Sequence, residues 1–259
     1  MQDSPPQEPS PRPDGQMDAL LPKQMAKLAE QTGTEKAKQD ALSLLVLSLM
    51  AGAFIAFGAT FAAAVMAGGA GEAPAGLTKL AGGLAFSLAY VLAIVGGAEL
   101  FTTNNLMVMA WAHKRLSTLN LLRAWNIIFV SNFLGATLTG ALLILAGQHA
   151  ELSGGVGAEL LDSARRINDL GVMDALLLGI LGNTLLCLGV WLTYSARSTT
   201  DRILALTPPV AAFYVLGLEH AIAVMFYLPT AAVIGAIGDA SFWAAIEQPA
   251  VDVNLNGFL

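Results

Sequence analysis

The sequence predicts an all-α polytopic membrane protein built as an inverted repeat, and three observations support that fold class. Hydrophobic residues make up 55% of the chain and charged residues only 12%, whereas soluble domains usually carry about 25% charged residues. Five apolar segments are long enough to cross a bilayer, which takes roughly 20 residues. The second and fifth of them are oversized and share a Gly-x-Glu interruption.

Two segments precede the first span. Residues 1–16 are proline-rich and polar, which predicts a disordered tail, because such a composition buries too little apolar surface to fold. In residues 17–40 the spacing of the apolar residues places them on one face of a helix and the lysines elsewhere. This pattern predicts an amphipathic cytoplasmic helix. That helix has two possible positions, flat on the membrane surface or packed on the helix bundle. Residues 41–259 are predicted to form the transmembrane domain.

The distribution of lysine and arginine predicts the orientation. The apolar segments are 41–71, 80–112, 124–148, 175–196 and 203–238. With the N-terminus inside, the inner side carries Arg12, Lys23, Lys27, Lys36, Lys38, Lys114, Arg115, Arg123, Arg197 and Arg202, and the outer side carries Lys79, Arg165 and Arg166. Because basic residues favour the cytoplasmic side, we expect a multi-pass protein of the inner (plasma) membrane with a cytoplasmic N-terminus.

The two interruptions lie at corresponding positions of the two halves. One reads GGAELFTTNN, from Gly96 to Asn105, and the other reads GLEH, from Gly217 to His220. With three spans per half, the second half enters the membrane from the opposite side, and interrupted segments at matching positions indicate a permeation site. A broken helix also turns backbone N–H groups toward the midplane, where they favour an anion. For residues 203–238 a re-entrant hairpin is the alternative to a broken span.

Four side chains at these interruptions are the candidate site residues. His220 can donate a hydrogen bond to a small anion or hand it a proton, and Thr102 offers a hydroxyl at the first break. For Glu99 and Glu219 we favour a structural role, in which each carboxylate accepts a bond and fixes the helix break. Cys187 is the single cysteine, which excludes an intrachain disulfide, and we expect no metal and no cofactor.

These residues belong to motifs that resemble the formate/nitrite transporter family over residues 17–259. The resemblance depends on several motifs in the family's order, none of which is specific by itself. They are LLPKQMAKLAEQTG (20–33), AELFTTNN (98–105), SNFLGA (131–136), GNTLLCLGVW (182–191) and GLEHAIAVMF (217–226).

The resemblance implies an aquaporin-like fold of six helices and a homopentamer in which each protomer has its own pore. The implied substrates are small monovalent anions or their conjugate acids: formate, nitrite, hydrosulfide, and in some members lactate or acetate. The family's central histidine corresponds to His220, its loop threonine to Thr102 and its fourth-helix asparagine to Asn183. Its hydrophobic constrictions correspond to Phe86, Tyr90, Phe101, Leu186 and Phe213.

The chain also departs from the family pattern. Val224 stands where the family often has an asparagine, four residues after the histidine, so one polar partner for the substrate is lost. A lysine common before the fourth helix has no counterpart, although Arg165 and Arg166 lie near its position and can replace its charge. Five spans are present and a sixth is missing, from which we expect a truncated chain.

The leading function is a channel or secondary transporter for a small monovalent anion such as formate or nitrite, proton-linked through His220 and embedded in the lipid bilayer. We expect no enzyme activity, no ATP coupling and no nucleic-acid partner. One alternative is a truncated, inactive paralogue with a structural role. A neutral-solute channel of the aquaporin type requires paired Asn-Pro-Ala breaks, and an intramembrane hydrolase requires a nucleophile motif such as GxSxG. The sequence has neither pattern.

Overall fold

The computed structural model describes residues 19–69, 71 and 73–247, and the regular structure in these residues is helical. The predicted tail 1–16 lies outside the described residues, and so do residues 248–259, to which the expectation of a missing sixth span refers. The helices are α1 (Pro22–Lys38), α2 (Ala41–Gly69), α3 (Ala75–Gly96), α4 (Phe101–Asn104), α5 (Met107–Ala112), α6 (Thr118–Leu145), a short 3-10 helix (Gln148–Ala150), α7 (Gly155–Asn168), α8 (Val172–Ser195), α9 (Thr199–Val215), α10 (Ala221–Ile237) and α11 (Ala240–Ala245).

Four described helices, α2, α3, α6 and α8, are long and apolar enough to cross a membrane, and α10 is a shorter apolar helix. Their outward faces are rich in exposed leucine and phenylalanine, such as Phe57 and Phe61 on α2 and Leu176 on α8. Exposed apolar surface of this extent is stable only against lipid or another apolar protein surface. The prediction of a multi-pass membrane protein is therefore confirmed.

The helices extend past the apolar segments from which they were predicted. α3 begins at Ala75 and so includes Lys79, α6 begins at Thr118 and includes Arg123, and α8 begins at Val172 and includes Asp174. Long basic side chains at a helix end reach the membrane–water interface while the backbone continues into the apolar layer.

Helices α1 and α7 lie at opposite ends of the bundle, so contacts with them show in which direction each broken segment crosses it. α8 ends beside α1, where Ser195 Oγ is 3.5 Å from the Leu20 carbonyl oxygen. α9 starts there, and α10, which follows the break, packs against α7 at the other end. The segment 203–238 therefore crosses the bundle as a broken span, not as a re-entrant hairpin. The second segment runs the opposite way and ends with α5 against α1.

The two halves repeat the same contacts at their breaks. The Glu99 N–H donates to the Leu47 carbonyl of α2 at 3.2 Å, and the Glu219 N–H donates to the Leu178 carbonyl of α8 at 3.4 Å. Each half is also preceded by an amphipathic helix, α1 or α7, one face of which is buried on the bundle. The predicted inverted repeat with broken second and fifth helices is confirmed.

Glycine allows α2 and α6 to approach closely near the first break. A Cβ atom added at Gly52 would overlap the Asn132 carbonyl oxygen, and one added at Gly135 would overlap that of Leu49. Small residues at such crossings are typical of membrane helix pairs, because association there depends on close van der Waals packing. The close approach brings Asn132 of α6 within reach of the backbone at the first break.

We predict that Gly52→Ala destabilises the protein by about 1–3 kcal/mol, because α2 and α6 must move apart to admit the methyl group. The measurement is the thermal unfolding midpoint in detergent, followed by tryptophan fluorescence. Gly76→Ala is the matched control, since a Cβ atom at Gly76 meets nothing within 4 Å. Equal midpoints for the two variants would contradict the packing described.

Candidate functional site: two cavities on either side of His220

Two cavities enter the bundle from its opposite ends. The α1-side cavity has a volume of about 400 Å³ and is lined by Lys36, Glu99, Asn104, Tyr194 and Arg202 among others. The α7-side cavity has a volume of about 240 Å³, and its charged and central lining residues are Lys79, Glu159, Asp162, Arg166, Glu219 and His220. Thr103 and Asn104, which directly follow Thr102, line the α1-side cavity. His220 lines the α7-side cavity. Thr102 and His220 therefore lie where the two cavities approach each other.

His220 is held in one orientation by the start of α10. It is the N-cap residue of that helix, and its Nδ1 atom accepts a hydrogen bond from the Ala223 N–H at 2.9 Å. A nitrogen that accepts a hydrogen bond carries no proton, so the proton of the neutral ring is on Nε2. Nε2 lies 2.7 Å from the Tyr90 hydroxyl and 2.9 Å from the Thr102 hydroxyl. The structure thus brings together His220 and Thr102, two of the candidate site residues, and adds the Tyr90 hydroxyl to them.

Aromatic rings surround this polar centre. The rings of Phe86 and Phe213 stack at 6.3 Å, and those of Tyr90 and Phe213 meet the His220 ring edge-on at 5.9 Å and 6.1 Å. Leu186 of α8 is buried in the same apolar cluster. Phe86 and Phe213 also line the α7-side cavity. His220 and these apolar side chains therefore lie together at the inner end of that cavity.

Phe101 differs from the other predicted constriction residues. Its ring stacks edge-on with Phe129 at 5.0 Å and with Trp125 at 6.1 Å, both on α6. It is partly buried and packs against both apolar clusters of the molecule. The residue before it, Leu100, is fully buried in the cluster that contains Phe86 and Tyr90.

The first break is held by Asn132, whose role the sequence did not indicate. Its Oδ1 accepts from the Phe101 N–H at 2.8 Å, and its Nδ2 donates to the carbonyls of Ser48 at 2.6 Å and Glu99 at 2.9 Å. Unwound backbone inside a membrane protein must find such partners, since lipid offers none. The asparagine of the SNFLGA motif was the available signal, because a polar side chain in an uncharged span needs a partner.

The carboxylate of Glu99 is the centre of a polar network facing the α1-side cavity. It is 2% exposed, and its Oε2 accepts from Lys36 Nζ at 2.8 Å and from Asn104 Nδ2 at 2.7 Å. Gln39 Nε2 lies 3.4 Å from Oε1. Lys36 comes from α1, so the amphipathic helix supplies the cation that compensates the buried charge.

Glu219 has the corresponding arrangement at the other end. Arg166 Nη1 of α7 donates to Glu219 Oε1 at 2.5 Å, and Glu219 is 8% exposed. Each amphipathic helix thus supplies one basic side chain to the glutamate of one break. In the sequence Lys36 was only a marker of orientation, and Arg166 was also a candidate replacement for the charge of the family's lysine. The pairing of either with a glutamate was not predicted, because the residue pattern does not show which cation reaches which carboxylate.

Two further polar residues lie on α8. Asn183 has a buried Oδ1 atom without a hydrogen-bond partner among the described residues, which leaves its amide available. Cys187 donates its thiol proton to the Thr102 carbonyl, with a sulfur–oxygen distance of 3.3 Å, and so orients the loop that carries Thr102. The described residues contain no group of three or more histidine, cysteine, aspartate or glutamate side chains that could hold a metal ion.

Comparisons with known proteins find a matching family and related channels. The profile of the formate/nitrite transporter family matches residues 23–257. The formate channel FocA of Escherichia coli (strain K12) is 38% identical over 233 residues, which are 90% of this chain and 81% of that protein. The formate channel FocA of Haemophilus influenzae is 33% identical over 228 residues, which are 88% of this chain and 80% of the relative.

Solved structures show the same fold. A pentameric formate channel with formate bound superposes with a TM-score of 0.76 at 33% identity, over 84% of this chain and 86% of that one. An FNT family ion channel superposes with a TM-score of 0.71 over 87% and 89% of the two chains, and at 21% identity it shows the fold alone. These relatives are channels, and the expectation that the chain is not an enzyme is confirmed by them.

We predict that Asn132→Ala lowers the unfolding free energy by about 2–5 kcal/mol, because a buried N–H and two buried carbonyls lose their partner at once. The thermal midpoint in detergent measures the effect. Asn126→Ala on the same helix is the control, since Asn126 is exposed and donates only to the Leu122 carbonyl. A variant as stable as the control would show that Asn132 does not support the break.

We predict that Lys36→Met lowers the free energy of unfolding by about 1–3 kcal/mol, because Glu99 then has a buried charge without its cation. Partial exposure of Lys36 to solvent keeps the loss at the lower end for a buried ion pair. Adding Glu99→Gln removes that charge and should recover part of the loss. The double-mutant cycle of thermal midpoints measures the coupling. Additive effects of the two substitutions would contradict the ion pair.

Proposed function

Because the chain belongs to the formate/nitrite transporter family, we propose that it is a transmembrane channel for small monovalent anions or their conjugate acids, with formate as its main substrate. The observation that carries the proposal is His220, whose Nε2–H lies with the Thr102 hydroxyl between two water-accessible cavities. The relatives named as formate channels support formate as the substrate. Nitrite and hydrosulfide have the same charge and similar size, and are further candidates.

The polar centre suits a small oxygen-bearing solute. Nε2–H of His220 donates, and the hydroxyls of Tyr90 and Thr102 can donate or accept. A carboxylate or carboxylic acid oxygen arriving here replaces one of the hydroxyls as the partner of Nε2–H. Asn183, whose Oδ1 has no partner among the described residues, is proposed to provide a further contact from α8.

The apolar collar favours the neutral form of the solute. Phe86, Tyr90, Leu186 and Phe213 are proposed to form the constrictions, and Phe101 is proposed to act through the loop that carries Thr102. A narrow apolar ring excludes water and so blocks a hydrated ion, whereas a neutral acid loses less hydration free energy on entering the ring. Passage is therefore proton-linked, in the sense that the anion picks up a proton before the collar and loses it afterwards.

The proton is proposed to come from cavity water. Protonation of His220 at Nδ1 would remove the acceptor of the Ala223 N–H and uncap α10, which costs about 1 kcal/mol or more before any desolvation of the charge. The neutral ring still polarises the bound solute through Nε2–H. Glu99 and Glu219 act as positioning residues, since both carboxylates are engaged by basic side chains.

The setting of the channel is proposed from the same relatives and from the charge pattern. A homopentamer in the inner membrane, with α1 in the cytoplasm, places the exposed apolar faces of the spans against lipid or against neighbouring protomers. Basic residues concentrated at the α1 end support that orientation.

We predict that His220→Ala lowers the initial rate of formate uptake into proteoliposomes by about tenfold or more, because a hydrogen bond to a charged or strongly polar group is worth about 1.5–3 kcal/mol. Labelled formate measures the rate. His113→Ala is the control, since His113 is largely exposed and its Nδ1 contacts Glu30 on the surface. Equal uptake by parent and His220→Ala, with both proteins folded, would contradict a path through His220.

We predict that uptake by the parent rises as the pH falls from about 8 to about 5. While the pH is above the solute's own pKa, the fraction of neutral acid grows about tenfold for each unit by which the pH falls. Initial rates at constant total formate measure this dependence, with protein-free liposomes subtracted. Uptake that is independent of pH would show that the anion itself crosses the collar.

A further inference from the structure

The two cavities differ in the sign of their lining charge. The α1-side cavity has two basic residues, Lys36 and Arg202, against one acidic residue, Glu99. The α7-side cavity has two basic residues against three acidic ones, Glu159, Asp162 and Glu219. An anion therefore meets a net positive lining from one end and a net negative lining from the other.

Glu159 gives the α7-side lining its negative sign, since the other charged residues of that lining are two basic and two acidic. Arg166 is engaged by Glu219, and Asp162 is paired with Arg165. Glu159 is half-buried and has no basic group within ion-pair distance among the residues that the structure describes. Lys79, the remaining cation of the lining, is exposed, where water and salt screen its charge most strongly.

We propose that Glu159 is a specificity-determining residue, whose carboxylate disfavours the anion in the α7-side cavity and so selects the conjugate acid from that end. The proposal rests on the proposed function. The groups facing the cavity with Glu159 are Asp162 and Arg166 of α7, Lys79 of α3, Tyr214 of α9, Glu219 and His220 of the second break, and Tyr227 of α10.

Acidification removes the charge on Glu159. Burial raises the pKa of this carboxyl above its usual value, and the neighbouring charge of Asp162 raises the pKa further. On acidification Glu159 becomes neutral before an ordinary surface carboxylate does. The cavity's repulsion of anions then falls under the same conditions that produce more conjugate acid.

The direct test measures the cavity's charge without relying on transport. Ser163 lines the α7-side cavity one helical turn from Glu159, so Ser163→Cys in a Cys187→Ala background reports locally. The rates of modification by a cationic and an anionic methanethiosulfonate reagent of similar size are compared near pH 8. Adding Glu159→Gln should lower the preference for the cation by about five- to twenty-fold, as expected for one nearby partly screened charge. An unchanged preference would overturn the proposal.

Transport provides the second readout. Glu159→Gln should raise formate uptake about three- to tenfold near pH 8 and by a smaller factor near pH 5, because the raised pKa of the Glu159 carboxyl makes it lose its charge on acidification sooner than an ordinary carboxylate. Glu151→Gln is the matched control, because Glu151 is exposed, precedes α7 and lines neither cavity. A Glu159→Gln variant with parental rates at both pH values would overturn the proposal. A parent that carries no formate would instead refute the proposed function, while the thiol assay still decides the role of Glu159.

Discussion

A single backbone N–H, that of Ala223, determines what the imidazole of His220 can do. It occupies Nδ1 at 2.9 Å and so leaves Nε2 as the protonated nitrogen, directed at Tyr90 and Thr102. The ring is neutral because the same atom cannot both cap α10 and carry a second proton. The position of the polar centre and its hydrogen-bonding direction follow from this contact, and the proposal that the proton comes from cavity water rests on it.

The rest of the structure keeps that contact in place. Breaking a helix in a membrane exposes backbone groups that lipid cannot satisfy, and the two breaks solve this problem with different side chains. At the first break Asn132 bonds three backbone groups, and at the second His220 itself caps the new helix. Each adjacent glutamate is then compensated by a cation from an amphipathic helix outside the spans, α1 or α7.

This arrangement explains why a channel for anions contains buried carboxylates near its path. Glu99 and Glu219 do not face the solute as free charges, since Lys36 and Arg166 hold them. Their proposed role is to orient the loops that carry Thr102 and His220. Glu159 differs from both because it lacks such a cation among the described residues, and its charge is exposed to the cavity contents.

The sequence was sufficient for the spans, the two breaks and the residue at their centre. Long uncharged segments have few alternatives to crossing a membrane, and ionisable residues inside them are costly enough to indicate a site. The partners of those residues were not predictable in the same way. Which cation reaches Glu99, or that Asn132 bonds the backbone beside Phe101, depends on how helices distant in sequence pack together. The prediction that residues 203–238 form a broken span succeeded because its Gly-x-Glu matched the break in the other half.

The most direct test of the central claim is the protonation state of His220 in the bilayer. Solid-state nitrogen NMR of ¹⁵N-histidine-labelled protein, assigned with His220→Asn, distinguishes a protonated from an unprotonated ring nitrogen. The account predicts that Nε2 carries the proton and Nδ1 does not at both about pH 8 and about pH 5. Double protonation of His220 at the lower pH would contradict it, because α10 would then start without its cap.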